Sequence, residues 1–215
     1  MSAPENTIDI LLLGSGGREH ALAAKLAESP RCGTLYIAPG NGGTLELGEN
    51  VALDAEDPSA VADFARETGC GLVVIGPEAP LVKGVADAVR EAGIPCFGPG
   101  AAGAQLEGSK RFSKELMARA GIPTAAYGSF TDEESALAYV REQGAPVVVK
   151  ADGLAAGKGV VVALTLDEAL QAVHECFDGA FGAAGSTVVI EEMLTGPECT
   201  LLAFTDGKTV RPMAT

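Results

Sequence analysis

The sequence has 215 residues, enough for one large domain or two smaller ones. Hydrophobic residues make up 47% and aromatic residues 5%, with 28 glycines and no tryptophan, which is typical of an α/β protein with many tight turns. Acidic residues outnumber basic ones 29 to 15, and the formal net charge of -14 disfavours binding to nucleic acids or anionic membranes.

The first hundred residues alternate short apolar runs with helical patterns. Strands made almost entirely of apolar residues predict a parallel sheet covered on both faces, and therefore a doubly wound domain. The loops "GSGGREH", "PGNGGT" and "GPEAPL" each follow a predicted strand, at the sheet edge where such folds bind ligands. The predicted strands are 8–13, 34–38, 72–75 and 96–97, and the predicted helices are 19–28, 58–68 and 82–91.

The pattern changes after residue 100 to that of a small α+β unit. Capping boxes are predicted at Thr131 with Glu134 and at Thr165 with Glu168, each opening a helix. A terminal hairpin should turn at Asp206-Gly207. The predicted helices are 109–120, 131–143 and 165–174, and the predicted strands are 147–150, 160–164 and 187–192.

The glycine-rich stretch "KADGLAAGKGVVV" at 150–162 invites comparison with the phosphate loop of nucleotide-binding proteins. That loop needs GxxxxGK and Ser or Thr before a helix, whereas a β-branched strand follows here. The stretch therefore predicts a hairpin that closes as a flap over a triphosphate, with Lys150 adding a fixed charge. An ordinary glycine-rich hairpin with a solvated Lys158 is the alternative.

The segment "VIEEML" at 189–194 carries two acids and two apolar residues at a strand end. Such a segment can bind adenine through a carboxylate, backbone groups and an apolar cover, and Glu198 supplies a further acid. Taken alone, an edge strand with two solvated glutamates explains it better. Combined with a phosphate-binding hairpin, the nucleotide interpretation is the stronger one.

The loop "GSGGREH" does not complete a dinucleotide fingerprint, because Glu19 stands where the third glycine belongs and no acid ends the second strand. NAD binding is therefore disfavoured, and a phosphate site at a helix N-terminus remains. Arg18 and His20 are candidates to assist it, although His20 can equally pack against the sheet. Asn41 and Glu78 are candidates for sugar hydroxyls, or alternatively a turn-capping Asn and a solvated Glu.

The five cysteines have no CxxC spacing and mainly apolar neighbours, so they are interpreted as reduced core thiols of a cytoplasmic protein. They are Cys32, Cys70, Cys96, Cys176 and Cys199. The apolar run at 10–13 is too short for a membrane span and lacks the basic flank of a signal peptide.

The order and spacing of six segments identify a family resemblance that covers essentially the whole chain. The sequence resembles the phosphoribosylamine–glycine ligase family of the ATP-grasp superfamily. The segments are "GSGGREHALA", "APGNGGT", "GPEAPLVKG", "QLEGSK", "APVVVKADGLAAGKGV" and "VIEEML". The resemblance implies a pre-ATP-grasp phosphoribosylamine-binding domain at 1–104, a helical linker and start of the ATP-grasp core at 105–126, a lid subdomain at 127–192 and part of the ATP-grasp core at 193–215.

The resemblance also implies an ATP-dependent ligase of purine synthesis. It would join glycine to 5-phosphoribosylamine through glycyl phosphate, giving glycinamide ribonucleotide, ADP and phosphate. Its implied partners are these small molecules, without nucleic acid or membrane, and its implied state is a monomer. The implied ATP-binding residues are Lys110, Lys150, Gly157, Lys158, Gly159, Glu191, Glu192, Leu194 and Glu198. The implied substrate-binding residues are Gly16, Gly17, Arg18, Asn41 and Glu78.

In that family the chain continues past the position of Thr215, into the segment that carries the catalytic residues and the ligands for Mg²⁺ or Mn²⁺. The expectation is therefore that the catalytic residues lie beyond Thr215 and that no metal ligand lies within this chain. By itself the chain should be nearly inactive. Another ATP-grasp carboxylate–amine ligase or carboxylase, and a non-catalytic nucleotide-binding module, are the alternative functions.

Overall fold

The structure, a computed structural model, describes residues 7–154, 159–180 and 186–213. Its first unit is a five-stranded parallel sheet in the order β3-β2-β1-β4-β5. The strands are β1 (Ile8–Gly14), β2 (Cys32–Pro39), β3 (Glu49–Asn50), β4 (Leu72–Ile75) and β5 (Cys96–Phe97). The helices are α1 (Gly17–Ala27), α2 (Pro58–Glu67), α3 (Glu78–Val82) and α4 (Val85–Glu91), with a 3-10 turn at Thr44–Glu46. The predicted doubly wound domain is confirmed.

The central strand β1 shows why this sheet is covered on both faces. Successive side chains of a strand point to opposite faces, and both sets are apolar here. Leu11 and Leu13 belong to a core that includes residues of α2 and α4. Ile10 and Leu12 belong to a second core with Ala23 of α1. Because helices cover both faces of the sheet, a ligand can reach it at the edge formed by the carboxyl ends of the strands.

The helix predicted over 82–91 is wrong in its extent. Two helices, α3 and α4, occupy this region, and Gly84 between them has a left-handed backbone (φ 86) that interrupts the helical path. Glu78 consequently begins a helix instead of lying in a loop. The short strand β3 and the 3-10 turn were not predicted, because two or three residues carry too little periodicity.

The second unit is an antiparallel sheet in the order β6-β9-β7-β8, with helices on one face. Helices α5 (Ala101–Gly108) and α6 (Lys110–Ala120) join it to the first unit, and α5 was not predicted. The other elements are β6 (Tyr127–Phe130), α7 (Glu133–Gln143), β7 (Val147–Ala151), β8 (Val160–Ala163), α8 (Leu166–Phe177) and β9 (Val188–Glu192). Residues Val147, Val149 and Ala151 of β7 face the core with α7 and α8.

One of the two predicted capping boxes is confirmed and the other is wrong. Thr165 Oγ1 accepts from the Glu168 amide at 3.3 Å, and Glu168 Oε2 accepts from the Thr165 amide at 3.0 Å. At α7 the cap is Asp132, whose carboxylate accepts from the Ser135 amide at 2.8 Å. The stronger carboxylate cap therefore shifts the helix start by one residue.

The glycine-rich stretch joins β7 to β8, which pair antiparallel from Val147 with Ala163 to Lys150 with Val160. The predicted hairpin is confirmed, and a helix-opening loop is excluded, because a strand follows the loop. Gly157 and Lys158 lie outside the described residues, and Gly159 lies within them.

The predicted terminal hairpin is confirmed as β10 (Ala203–Thr205) paired with β11 (Val210–Pro212). Asp206 accepts from the amides of Lys208 and Thr209, and Gly207 has a φ of 86.

Three sequence predictions near the end of the chain have different outcomes. Cys199, just before the terminal hairpin, is exposed, so the prediction of a core thiol is wrong for it. Thr215, beyond which the catalytic residues are expected, lies outside the described residues, so that expectation stays a prediction. Within the described residues, the helices are too short or too polar for a membrane span.

Candidate functional site

A cleft of about 420 Å³ lies between α6, the root of the glycine-rich hairpin and the sheet face opposite α7 and α8. Its apolar lining includes Leu106, Leu154 and Val160, which are large side chains with 44% to 50% of their surface exposed. Exposed apolar residues around a concave site are typical of a ligand-binding cleft. The remaining lining residues are Glu78, Glu107, Lys110, Ser113, Lys114, Met117, Gly153, Gly159 and Glu191.

Helix α6 contributes one complete face to the cleft. Lys110, Ser113, Lys114 and Met117 all line it, at the spacing of i, i+3, i+4 and i+7. Residues at these intervals lie on the same side of a helix. The α-helical period thus brings two lysines, one turn apart, to the cleft.

The sheet contributes Lys150 and Glu191 through the two-residue period of its strands. Lys150 of β7 is paired with Val189 of β9, and Glu191 is paired with Val148, so the two charged residues are diagonal neighbours on one face. Lys150 Nζ lies 2.9 Å from Glu191 Oε1. Val160 of β8 stands opposite Lys150 in the register and lines the same cleft.

Glu191 is held by a second lysine, Lys114, which sequence reasoning missed. Lys114 Nζ lies 3.0 Å from Glu191 Oε2, and both side chains are buried, with 9% and 8% of their surface exposed. The sequence feature that could have revealed Lys114 was its position four residues after Lys110 on a predicted helix, which places both lysines on one face. Lysine is seldom found buried in a core, so this position was not assigned to the site.

Asp152 joins the start of α6 to the root of the glycine-rich hairpin. Its carboxylate accepts from Ser109 Oγ at 3.0 Å and from the Arg111 amide at 3.1 Å. One residue later, the Gly153 carbonyl accepts from Lys110 Nζ at 3.0 Å. An acid at a helix N-terminus is favourable because it satisfies free amides and the helix dipole. These contacts hold Lys110 at the edge of the cleft. Asp152 was not predicted as a site residue.

Charged side chains of both signs line the cleft among the described residues, in a chain with a net charge of -14. The lining residues include Lys110 and Lys114 and the carboxylates Glu78, Glu107 and Glu191. Arg18 and Lys150 reach the cleft through their ion pairs with Glu78 and Glu191. The ammonium groups of Lys110, Lys114 and Lys150 can bind an anionic ligand at this place.

The N-terminus of α1 carries its own anion. Glu19 Oε2 accepts from the Gly16 amide at 2.8 Å, and the Glu19 side chain is 5% exposed. A Cβ on Gly14 or on Gly76 would clash with the Glu19 side chain. Glycine is therefore required here for the carboxylate to enter the sheet edge. A second cleft of about 490 Å³ lies beside it and is lined by Gly16 and Glu19, among others.

Arg18 links this helix start to the first cleft, which is lined by Lys110 and Glu191. It bonds to Glu19 through Nε and to Glu78 through Nη1, each at 2.9 Å. The hydrogen bonds to Glu78 and Glu19 raise the pKa of the Arg18 guanidinium. The bond from Arg18 lowers the pKa of the Glu78 carboxyl below its ordinary value. Since Glu78 lines the cleft with Lys110 and Glu191, the two units contribute to one site.

Asn41 and His20 have structural partners in the described chain. Asn41 Oδ1 accepts from the amides of Gly43 and Thr44, and Nδ2 donates to the Ser15 carbonyl at 2.9 Å. A Cβ on Gly43 would clash with the His20 ring, so that glycine makes room for the imidazole. Asn41 therefore caps a turn and ties two loops of the sheet edge together.

The cleft brings together several of the residues predicted for nucleotide binding. Lys110, Gly159 and Glu191 line it, and Lys150 joins them through its ion pair with Glu191. Glu192 instead pairs with Ala126, accepting from its amide at 3.0 Å and donating its own amide to the Ala126 carbonyl. Leu194 and Glu198 are exposed and are not among the lining residues. Their roles remain predictions.

Comparison with known families decides the affiliation. Residues 8–107 match the model of the phosphoribosylglycinamide synthetase N domain, and residues 108–215 match that of its ATP-grasp (A) domain. The chain belongs to the phosphoribosylglycinamide synthetase family. The phosphoribosylamine–glycine ligase of Rhizobium meliloti is 60% identical over 205 residues, which are 95% of this chain and 48% of that protein. That of Vibrio parahaemolyticus is also 60% identical, over 96% of this chain and 49% of the relative.

Solved structures agree with this membership of the phosphoribosylglycinamide synthetase family. The phosphoribosylamine–glycine ligase of Thermotoga maritima superposes with a TM-score of 0.78 at 29% identity, covering 95% of this chain and 49% of that one. The biotin carboxylase domain of the Hydrogenobacter thermophilus 2-oxoglutarate carboxylase has a TM-score of 0.69 at 21% identity, which is a likeness of fold alone. The chain, which ends at Thr215, spans about half the length of the relatives that it matches.

The family implies ATP and a divalent metal, and the described residues fit the two differently. The cleft offers lysines and apolar walls that suit a nucleotide. Among residues 7–154, 159–180 and 186–213, His, Cys, Asp and Glu form no group of three or more with the geometry of a metal site.

Proposed function

We propose that the complete protein is an ATP-dependent ligase that joins glycine to 5-phosphoribosylamine, giving glycinamide ribonucleotide, ADP and phosphate. The observation that carries the proposal is the shared cleft: Glu78 of the first unit lines it together with Lys110 and Glu191 of the second. A ligase that activates one substrate with ATP and transfers it to another needs both sites side by side.

The chemistry requires a site that excludes water. A glycine carboxylate oxygen attacks the γ-phosphorus of ATP, the bond to the β-phosphate oxygen breaks, and ADP leaves. The amine of phosphoribosylamine then attacks the acyl carbon, phosphate leaves with the bonding electrons, and the nitrogen loses a proton. Because the acyl phosphate hydrolyses readily, closure of the hairpin between β7 and β8 over the cleft serves to protect it.

The residues take separate parts in this proposal. Lys110 and Lys150 contact the phosphates of ATP, with Gly157, Lys158 and Gly159 in the flap. Glu191, Glu192 and Leu194 bind adenine, and Glu198 binds the ribose. Gly16, Gly17, Arg18, Asn41 and Glu78 bind phosphoribosylamine.

The remaining parts of the proposal concern the organisation of the complete protein. The domain bounds proposed are 1–104, 105–126, 127–192 and 193–215. The catalytic residues and the ligands for Mg²⁺ or Mn²⁺ belong to the part of the protein beyond Thr215. The protein is a cytoplasmic monomer.

The decisive experiment supplies the complete protein with ATP, Mg²⁺, glycine and phosphoribosylamine prepared in situ. ADP and phosphate should form only when both co-substrates are present, with glycinamide ribonucleotide in equal amount. Exchange of isotope between glycine and phosphate oxygens should depend on ATP. Absence of glycine-dependent ADP formation would overturn the proposal. The 215-residue chain should show little turnover in the same assay.

Related functions give different results in that assay. A carboxylase of the same fold forms ADP with bicarbonate in place of glycine, as the similarity to the biotin carboxylase domain makes worth testing. A non-catalytic module binds ATP in calorimetry without turnover. Binding of NAD in place of ATP would contradict both of these ATP-binding functions. It is not expected, because Glu19 occupies the place that a dinucleotide would need at the start of α1.

A further inference from the structure

Lys114 is a buried cation with no part in the proposed chemistry. Only 7% of the residue is exposed, and its ammonium has three oxygen partners. They are Thr124 Oγ1 at 2.7 Å, Glu191 Oε2 at 3.0 Å and the Ala125 carbonyl at 3.3 Å. The Tyr127 ring lies 5.5 Å from Nζ. Two hydrogen bonds and one ion pair thus hold the ammonium between three oxygen atoms.

The two lysines that hold Glu191 differ in their freedom. Lys114 Nζ is anchored on one carboxylate oxygen, and Lys150 Nζ occupies the other at 2.9 Å. The Lys150 side chain is 26% exposed, compared with 9% for Lys114. Lys150 is therefore the partner that can turn towards a ligand in the cleft, whereas Lys114 stays in place.

The free-energy cost of moving Lys150 to a ligand depends on which partners Glu191 retains. A buried carboxylate left without a partner is strongly unfavourable. With Lys114 in place, Glu191 retains a buried partner after Lys150 moves to a phosphate. Without Lys114, Lys150 would be the one remaining cation beside Glu191 among the described residues. It would then either stay on Glu191 or leave that buried carboxylate without a partner.

We propose that Lys114 is a positioning residue that holds Glu191, so that Lys150 is released to the phosphates of the bound nucleotide. This inference rests on the proposed ATP site, and it adds to it a residue that touches no part of ATP. In Lys114→Met, Lys150 stays on Glu191, so the carboxylate keeps its place beside the adenine while the phosphates lose a cation. The effect should therefore appear in the phosphate contribution to affinity and should vanish when the charge of Glu191 is removed.

The test measures dissociation constants for ATP and for adenosine by calorimetry on the complete protein. The ratio of the two constants isolates the contribution of the phosphates. Lys114→Met should weaken ATP by about 10-fold to 100-fold, the usual value of one charge-assisted hydrogen bond, and adenosine by less than about 3-fold. In the Glu191→Gln background, Lys114→Met should change the ratio by less than about 3-fold, because Lys150 is already free.

Two further variants separate this role from a general loss of packing. Lys114→Arg keeps a cation beside Glu191, although the guanidinium is larger and packs differently, and it should restore part of the ATP-to-adenosine ratio that Lys114→Met loses. Arg119→Met removes a charge from the exposed end of the same helix and should leave both constants unchanged. If Lys114→Met does not fold, the comparison of Glu191→Gln with the double variant still tests the inference. The double variant removes both charges of the buried pair, and in Glu191→Gln the Lys114 ammonium keeps its bonds to Thr124 and Ala125.

The outcomes distinguish this inference from the proposed function. A wild-type protein that binds ATP no better than adenosine overturns both. A wild-type protein that prefers ATP, with an unchanged preference in Lys114→Met, overturns only the role of Lys114. An equal loss from Lys114→Met with and without the charge on Glu191 also overturns it, since the effect would then not pass through that carboxylate.

Discussion

Two groups of three charged residues in this molecule have opposite arrangements of charge. At the start of α1, one cation, Arg18, lies between the carboxylates of Glu19 and Glu78. In the cleft, one carboxylate, Glu191, lies between two lysines. The distances are nearly the same, 2.9 Å in the first group and 2.9 to 3.0 Å in the second.

The ion pairs Arg18–Glu78 and Lys114–Glu191, one from each group, differ in burial. The Arg18 and Glu78 side chains are 56% and 39% exposed, whereas Lys114 and Glu191 are 9% and 8% exposed. Exposed pairs contribute little to stability, because water and salt screen them, whereas a buried pair is costly to break. Similar distances therefore have very different energetic meaning. The first group orients side chains at a sheet edge, and the second is part of the structure that forms the cleft.

The largest expected effect comes from removing the central residue of the buried group. Glu191→Ala leaves Lys114 without its carboxylate in a buried place and should lower the free energy of unfolding by about 3 to 5 kcal/mol. Urea unfolding of the 215-residue chain measures this. The neighbouring Glu192→Ala, which removes an exposed bond to the Ala126 amide, should cost about 1 kcal/mol. Equal losses in the two variants would contradict the importance assigned to burial.

The next effect tests the buried member of the first group. Glu19→Ala leaves the Gly16 amide without its acceptor and opens space against Gly14 and Gly76, and it should cost about 1 to 3 kcal/mol. Arg18→Ala removes an exposed partner, while Glu19 keeps the Gly16 amide, and it should cost less than about 1 kcal/mol. The same urea titration measures both. A larger loss for Arg18 than for Glu19 would reverse the comparison within this group.

Asp152 provides a test at the junction between the sheet and α6. Asp152→Ala removes the acceptor of Ser109 Oγ and of the Arg111 amide, and the unfolding free energy should fall by about 1 kcal/mol. Asp132→Ala removes a similar cap from α7, away from the cleft, and should cost about the same. In calorimetry on the complete protein, only the Asp152 variant should weaken ATP. Equal ATP affinity in both variants would show that Asp152 is only a cap.

The sequence predicted the parts of this architecture that depend on repeated local patterns. Continuous apolar strands indicated the parallel sheet, and the β-branched run after the glycines indicated the hairpin of β7 and β8. The break at Gly84 and the one-residue shift to Asp132 were missed, because competing caps and turn residues differ by small energies.

The site was predicted less completely than the fold, because its contacts join distant segments. Lys114 and Glu191 are far apart in the chain and meet only when α6 lies over β9. Glu19 looked like an interruption of a glycine motif, although it is the anion that fills the space the glycines leave. A lone charged residue in a sequence carries no sign of its burial, so such partners become visible only in three dimensions.

The smallest expected effect is a pH dependence of the exposed group. Arg18 lowers the pKa of Glu78 in the folded protein, so the unfolded chain binds a proton at higher pH than the folded one. The contribution of this pair to stability is thus present above the ordinary glutamate pKa and is lost as the pH falls through the lower, folded value. Because both side chains are partly exposed, it should amount to less than about 1 kcal/mol.

Glu78→Gln removes that contribution. The difference in unfolding free energy between wild type and Glu78→Gln should therefore be largest near neutral pH and should shrink towards zero in acid. Urea titrations at several pH values measure it, and added salt should reduce it at every pH because the pair is exposed. A difference that grows as the pH falls would mean that Arg18 does not hold Glu78 in its charged form.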